Sequence, residues 1–230
     1  MASLSGSADR SLQVARRARA ALNRASRRAV MAAAVALGAT LLASGAAHAA
    51  PAVGQKAPDF VATDTQGKQH RLSDFAGKYV VLEWTNPGCP FVQKHYDSGN
   101  MPATQKSAVS RGVVWLSINS TERGSSDFMA PAALASWMKE RDSAPTATLM
   151  DPDGTIGQAY GARTTPHMYI IDPQGTLVYA GGIDSVPSAR KDDIKTATNY
   201  VNQALAEAFG GKPISAASTR PYGCSVKYKT

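Results

Sequence analysis

Cysteine is scarce in this chain: only Cys89 and Cys224 occur among 230 residues, so a single intramolecular pairing is possible. Acidic residues are nearly missing from the first 49 positions, where seven arginines stand against Asp9 alone. Internal repeats are absent, which sets aside solenoid architectures, and no low-complexity stretch follows the alanine-rich beginning. Beyond residue 49 no apolar run is long enough to cross a bilayer.

The formal net charge is +8, which taken whole suggests an acidic partner such as nucleic acid. Its placement removes that reading. After residue 49 there remain eighteen basic and sixteen acidic side chains, a balance of +2, so neither nucleic acid nor a membrane surface is expected as a partner of that part. Residues 1–49 have the layout of a secretory signal. A basic region ends at Arg27-Arg28, an apolar run covers Ala29–Leu42, and Ala47-His48-Ala49 is a small-residue exit. Cleavage is expected after Ala49, leaving a periplasmic or secreted protein; an uncleaved anchor is the alternative. Ser26-Arg27-Arg28 resembles a twin-arginine signal only faintly, so the export route stays open.

About 180 residues then remain, enough to bury a sizeable core without covalent help. Residues 50–58 read as an extended entry. Short strands are expected near Asp59–Ala62 and Gln69–Leu72, followed by one helical turn at Ser73-Asp74-Phe75 that Gly77 stops. Tyr79–Thr85 is almost continuously apolar, the pattern of a strand buried on both faces. Asn86-Pro87-Gly88 ends it, and a helix begins at Cys89 with Pro90 in its first turn, interrupted near Gly99 or Pro102 and ending about Ser110.

Strands follow at Val113–Asn119, Thr146–Met150, His167–Ile171 and Thr176–Ala180, with helices at Pro131–Arg141 and Thr155–Tyr160. A last helix is expected over Lys191–Phe209, with Ile194, Ala197, Val201, Leu205 and Ala208 on one face. This order implies an α/β sandwich: a central mixed sheet with parallel crossovers, an N-terminal β extension and a C-terminal antiparallel hairpin. The expected domain covers residues 50–211, and 212–230 form a tail carrying Cys224.

Cys89 follows a buried strand and opens a helix, where unpaired N–H groups and the helix dipole favour a thiolate. It reads either as a reactive thiol or as a small buried hydrophobe. Glu83 interrupts the apolar strand and reads either as a buried acid of raised pKa that moves a proton, or as an edge-facing or salt-bridged residue. His70 and Trp115 read as surface and core residues. Cys89 and His95 are spaced Cys-x5-His, but six helical residues put the side chains about 240° apart around the helix and about 9 Å along it. With His167 the other isolated candidate, no metal and no cofactor is expected.

The run Val81–Val92 resembles the active-site strand and helix start of thioredoxin-like proteins, and Thr164-Thr165-Pro166-His167 through Asp172 resembles their cis-proline loop and following strand. Gly54–Phe60 is similar to the entry of the redoxin branch, the alkyl hydroperoxide reductase/thiol-specific antioxidant (peroxiredoxin-like) family. The likeness covers about residues 53–210. It implies a thioredoxin-like three-layer sandwich, a cis Pro166, and substrate contacts at Thr165, Pro166 and Pro90. It departs at three places. Val92 stands where thioredoxins carry a second cysteine. Leu82 and Asn86 replace the proline and the Thr or Ser that precede a peroxidatic cysteine. Pro166 falls at or near the place of the peroxidatic arginine.

The reading is an exported thiol-based oxidoreductase with Cys89 as nucleophile, a peroxide or disulfide as substrate and a thiol as electron donor. Cys224 is the candidate resolving thiol, though two unpaired thiols or other pairings stay open. The rival is a non-catalytic thioredoxin-fold module that binds a peptide or metal.

Overall fold

The computed structural model describes residues 50–229; the expected leader and its cleavage site lie outside them. Strands β1 (Val61–Asp64) and β2 (Gln69–Arg71) form an antiparallel hairpin, closed by a turn in which Gly67 takes a φ of 85°. A 3-10 turn over Leu72–Phe75 leads to β3 (Val80–Trp84), which is buried at every position. Helix α1 (Pro90–Asp97) is separated from α2 (Asn100–Ser110) at Gly99, whose left-handed φ of 76° breaks the helical run. Then come β4 (Val114–Asn119), α3 (Pro131–Glu140), β5 (Ala147–Met150) and α4 (Thr155–Tyr160). The two-residue β6 (Thr164–Thr165) precedes β7 (His167–Ile171) and β8 (Leu177–Gly181). Helix α5 (Tyr200–Phe209) and a short β9 (Cys224–Ser225) complete the described chain.

The seven-stranded sheet runs β2-β1-β5-β4-β3-β7-β8. Strands β3, β4 and β5 are parallel, while β7 returns antiparallel against β3 and pairs with β8 in a hairpin. Because β3, β4 and β5 succeed one another in a single direction, right-handed crossovers bring α1, α2 and α3 onto one face. Side chains from these helices and from α5 meet Val81, Trp115, Met168 and Ile170 there. The opposite face, formed by Val80, Leu82, Trp84, Leu116 and Tyr169, is covered by α4, Phe60 and Leu72. Alternation along each strand is what divides these sets. This is the thioredoxin-like α/β sandwich, with its N-terminal β extension and C-terminal hairpin.

Several expectations need correction. The helix expected over Lys191–Phe209 is a 3-10 turn (Lys191–Lys195) followed by α5, because Asn199 caps the later helix by accepting the Asn202 N–H at 2.9 Å. Ile194 and Ala197 are therefore only half-buried, and the packed face is Val201, Ala204 and Leu205. The first strand begins two residues later than expected. His70 is not a surface residue: its ring is buried, and Nε2 lies 2.7 Å from the Asp64 carboxylate.

Candidate active site at Cys89

The loop after β3 is shaped by Asn86. Its side-chain oxygen accepts the Gly88 N–H at 2.7 Å, its amide nitrogen donates to Thr121 Oγ1, and its carbonyl accepts the Cys89 N–H at 3.0 Å. The chain is thereby turned so that Cys89 becomes the N-cap of α1, with Pro90 at the first helical position. Proline has no N–H to lose there, and it leaves the amides of Phe91 and Val92 as the unpaired donors of the first turn. Cys89 is only 2% exposed, and Pro90 beside it is exposed. The Cys89 thiol donates to the Thr165 carbonyl at 3.1 Å.

Thr165 stands directly before Pro166 and is joined to it by a cis peptide bond. Its strand, β6, is the antiparallel partner of β9, with Thr165 opposite Cys224. One backbone carbonyl thus lies beside both cysteines. The Cys224 thiol is half-buried and is pushed up to about 12, first by burial and then by the hydrogen bond and charge of the Cys89 sulfur. Both cysteines are free thiols. Of two surface clefts of about 500 and 520 Å³, neither is lined by Cys89; the second runs beside Thr164, Tyr222 and Gly223 of the tail arrangement.

Glu83 is wholly buried and is neither edge-facing nor salt-bridged. Its Oε2 accepts from Trp115 Nε1 (2.8 Å), Gln105 Nε2 (3.0 Å) and Ser117 Oγ (2.9 Å). The Gln105 amide is oriented by the Ala144 N–H, which must donate to its oxygen. Oε1 has a single partner, the Tyr96 hydroxyl at 2.6 Å. The Tyr96 hydroxyl donates this bond and its oxygen accepts from Gln105 Nε2 at 3.2 Å, so a proton on Oε1 requires that hydroxyl to turn its own hydrogen away. Burial holds this carboxyl above its usual range, and the four hydrogen bonds pull the other way. None of these bonds reaches Cys89; the acid touches α1 through Tyr96, two turns along from the thiol.

His95 takes part in a different cluster from Cys89. The Tyr222 hydroxyl donates to Asp184 Oδ1, so its oxygen accepts from His95 Nε2 at 3.0 Å, and His95 Nδ1 is left to accept from Asn100 at 2.8 Å. Every ring nitrogen is satisfied with the imidazole neutral, in accord with a pKa that burial lowers to about 4. Lys94, also fully buried, places Nζ 3.6 Å from Asp184 Oδ2. His167 is likewise a neutral core residue: its Nδ1 accepts the Arg163 N–H, and burial lowers its pKa to about 3. Among the described residues no group of three His, Cys, Asp or Glu side chains converges as metal ligands would.

Sequence reasoning did not find Lys94 or Asp184, nor the contacts that Tyr222 and Gly223 make. The available signal was Lys94-His95, two polar residues on a helix whose neighbours Val92 and Tyr96 are core. The tail that supplies Tyr222 and Cys224 is held over its length. Thr219 N–H donates to Ala180 O, Val226 N–H to Arg163 O at 3.1 Å, and the Tyr228 hydroxyl to Ala162 O at 2.7 Å. Gly154, the N-cap of α4, and Gly157 within it leave room for the Tyr228 ring, which side chains there would meet.

Comparison with known proteins places the fold and the family. Thiol-disulfide oxidoreductase ResA of Geobacillus thermodenitrificans is 32% identical over 124 residues, which is 53% of this chain and 64% of that protein, so the chain spans somewhat less than two thirds of that relative. The solved structure of an uncharacterized conserved protein from Geobacillus kaustophilus superimposes with a TM-score of 0.65 at 25% identity, covering 77% of this chain and 93% of that one. A hypothetical protein from Sinorhizobium meliloti shares the fold at a TM-score of 0.66 and 21% identity, covering 79% of this chain and 97% of that one. Residues 53–180, more than half the sequence and including Glu83, Cys89 and the cis-proline loop, match the AhpC/TSA family, and the chain belongs to that family.

Proposed function

We propose that the chain is an exported thiol–disulfide oxidoreductase in which Cys89 attacks and Cys224 resolves. The observation that carries the reading is the Thr165 carbonyl, which accepts the Cys89 thiol while its residue is paired across the strand with Cys224. The name of the ResA relative supports a disulfide as substrate and a thiol as partner. Leu82, Asn86 and Pro166, standing where a peroxidase would carry its own residues, weigh against peroxide. Residues 1–49 are the removable leader, 50–211 the exchange domain and 212–230 the tail that brings Cys224; the product acts in the periplasm or outside the cell.

In the first step Cys89 loses its proton and is stabilised by the amides of the first turn of α1. The thiolate attacks one sulfur of the substrate disulfide; that S–S bond breaks and one thiolate leaves, taking up a proton. Cys224 then gives up its proton and attacks Cys89 Sγ, forming the intramolecular disulfide and releasing the second thiol. Two protein thiols are oxidised and one substrate disulfide is reduced. Thr165, Pro166 and Pro90 border the approach, and Glu83 with Tyr96 fixes the core side of α1.

Mass spectrometry after glutathione disulfide tests this. The wild type loses two hydrogens, Cys224→Ser keeps one glutathione on Cys89, and Cys89→Ser forms no internal bond and takes up far less. If no protein reacts, or both variants behave as the wild type, the reading as a peptide- or metal-binding module replaces this one. Hydrogen peroxide in place of glutathione disulfide is expected to react much more slowly.

A further inference from the structure

In a thiol-exchange protein an extended substrate lies against exposed backbone next to the attacking sulfur, by strand addition. Here that backbone is already taken. β9 pairs with β6 at Thr165, and the Val226 N–H donates to the Arg163 carbonyl on the same edge. The approach is close enough that only glycine fits at position 223: a Cβ there would collide with the Thr165 carbonyl, and φ is 135°. Just before it, the Tyr222 ring packs edge-on to Phe91 of α1 at 5.8 Å. Its hydroxyl enters the buried Lys94–Asp184–His95 cluster, which no step of the exchange chemistry uses.

We propose that tail residues Thr219–Val226 are the resident occupant of the strand-edge groove at Thr164–Thr165, latched by Tyr222, so that the Cys89–Cys224 pair exchanges with small disulfides and excludes extended polypeptide. The substrate class rests on the thiol-exchange reading above; the occupancy of the groove does not. A small disulfide needs only to reach one sulfur. A polypeptide needs the same backbone edge that the tail holds, and the tail supplies its own cysteine there. The latch is sensitive to a single atom, because the Tyr222 hydroxyl is the group through which His95 and Asp184 are joined. Without it a buried carboxylate oxygen and an imidazole N–H both lose a partner.

The test uses the full chain with Cys224→Ser, leaving Cys89 as the one thiol, and compares N-ethylmaleimide with a polyethylene-glycol maleimide under native conditions. The small reagent is expected to modify Cys89 well ahead of the large one. Tyr222→Phe should raise the rate with the large reagent about thirtyfold, the equivalent of two lost buried hydrogen bonds. Gly223→Ala, which evicts the strand without touching the buried cluster, should do the same by an independent route. Circular dichroism verifies folding, and because the two variants alter different contacts, failure of one to fold leaves the other to decide. Equal rates for both reagents on the parent protein, or no gain in either folded variant, overturns the occupancy. With both cysteines restored and dithiothreitol as the electron donor, bis(2-hydroxyethyl) disulfide is expected to be reduced above the rate with dithiothreitol alone and insulin not; insulin reduction at a matching rate per disulfide overturns the assigned substrate class. If neither is turned over while the two maleimides still differ, the exchange reading and its substrate class fall together and the occupied groove stands.

Discussion

On one face of the central sheet Leu82, Trp84, Tyr160 and Tyr169 pack as a cluster of rings and aliphatic side chains. Their polar atoms are tied off locally: Tyr160 donates to Pro58 O, Tyr169 to Tyr160 O, and Trp84 Nε1 to Ser120 Oγ. On the other face the same strands present Glu83, Trp115 and Ser117 to Tyr96 and Gln105, and α1 adds Lys94 and His95. The first face uses polar atoms as anchors. The second buries groups that gain or lose protons, and they lie under the helix that starts at Cys89. Among the described residues the buried oxygens Thr85 Oγ1, Thr165 Oγ1 and Asp184 Oδ2 have no hydrogen-bond partner, and Asp184 Oδ2 is met instead by the Lys94 ammonium at 3.6 Å.

The sharpest way to break this contrast is Trp84→Ala. Trp84 is fully buried and meets Tyr160 and Tyr169 at centroid distances of 5.5 and 5.1 Å. Its loss should destabilise by about 3–5 kcal/mol with the alkylation rate of Cys89 unchanged in the folded fraction, measured by urea unfolding alongside alkylation. A large change in that rate would mean the two faces are not separate in function.

A smaller effect is expected on acidification. His95 and His167 have folded pKa values near 4 and 3, both below the value of about 6.5 in an unfolded chain. The unfolded state therefore binds more protons between these limits, so stability falls as pH drops from about 6.5 towards 4. Urea midpoints measured from pH 7 to pH 4.5 should decline, and replacing either histidine by glutamine should flatten the slope in part. A flat wild-type profile would remove the argument that both rings are held neutral.

The smallest effect belongs to Glu83→Gln. Glutamine can place its oxygen where Oε2 accepts three hydrogen bonds and its amide where Oε1 meets Tyr96, copying the protonated acid. Because burial raises the folded pKa above the usual value of 4.5, the wild type's stabilisation is full below that value and is lost as pH rises through the folded pKa. Glu83→Gln should thus equal or exceed the wild type in stability at pH 7, with the difference vanishing in acid. If glutamine is strongly destabilising at pH 7, the ionised acid is what the network requires.

Much of the sheet could be read from residue order, since the continuous apolar run at Val80–Trp84 and the punctuation at Asn86-Pro87-Gly88 and Gly99 report on local geometry alone. Cys89 and Glu83 also stood out from their local pattern, while the Thr165–Pro166 pair was reached only through the resemblance to thioredoxin-like proteins. What did not stand out was held by distant partners. His95 meets Tyr222 across 127 positions and Lys94 lies by Asp184 across 90, and no periodicity records such pairs. His70 was misread for the same kind of reason: its partner Asp64 sits across a hairpin, in a strand that began later than its composition suggested. The run Lys191–Phe209 misled because apolar spacing continued through residues that Asn199 divides.

Tyr222 and Tyr228 pin the tail on either side of Cys224, two residues before it and four after. A thiol held in this way meets its neighbour as a unimolecular event, at an effective concentration on the order of millimolar or above. Dilution of the protein does not lower it. A free thiol at micromolar levels therefore loses the race for a modified Cys89, and a foreign group carried on that sulfur is short-lived. In the proposed exchange, electrons are then returned only by a donor that attacks the closed pair itself, so the rate of recharging is set by the donor's supply and not by how much of this protein is present.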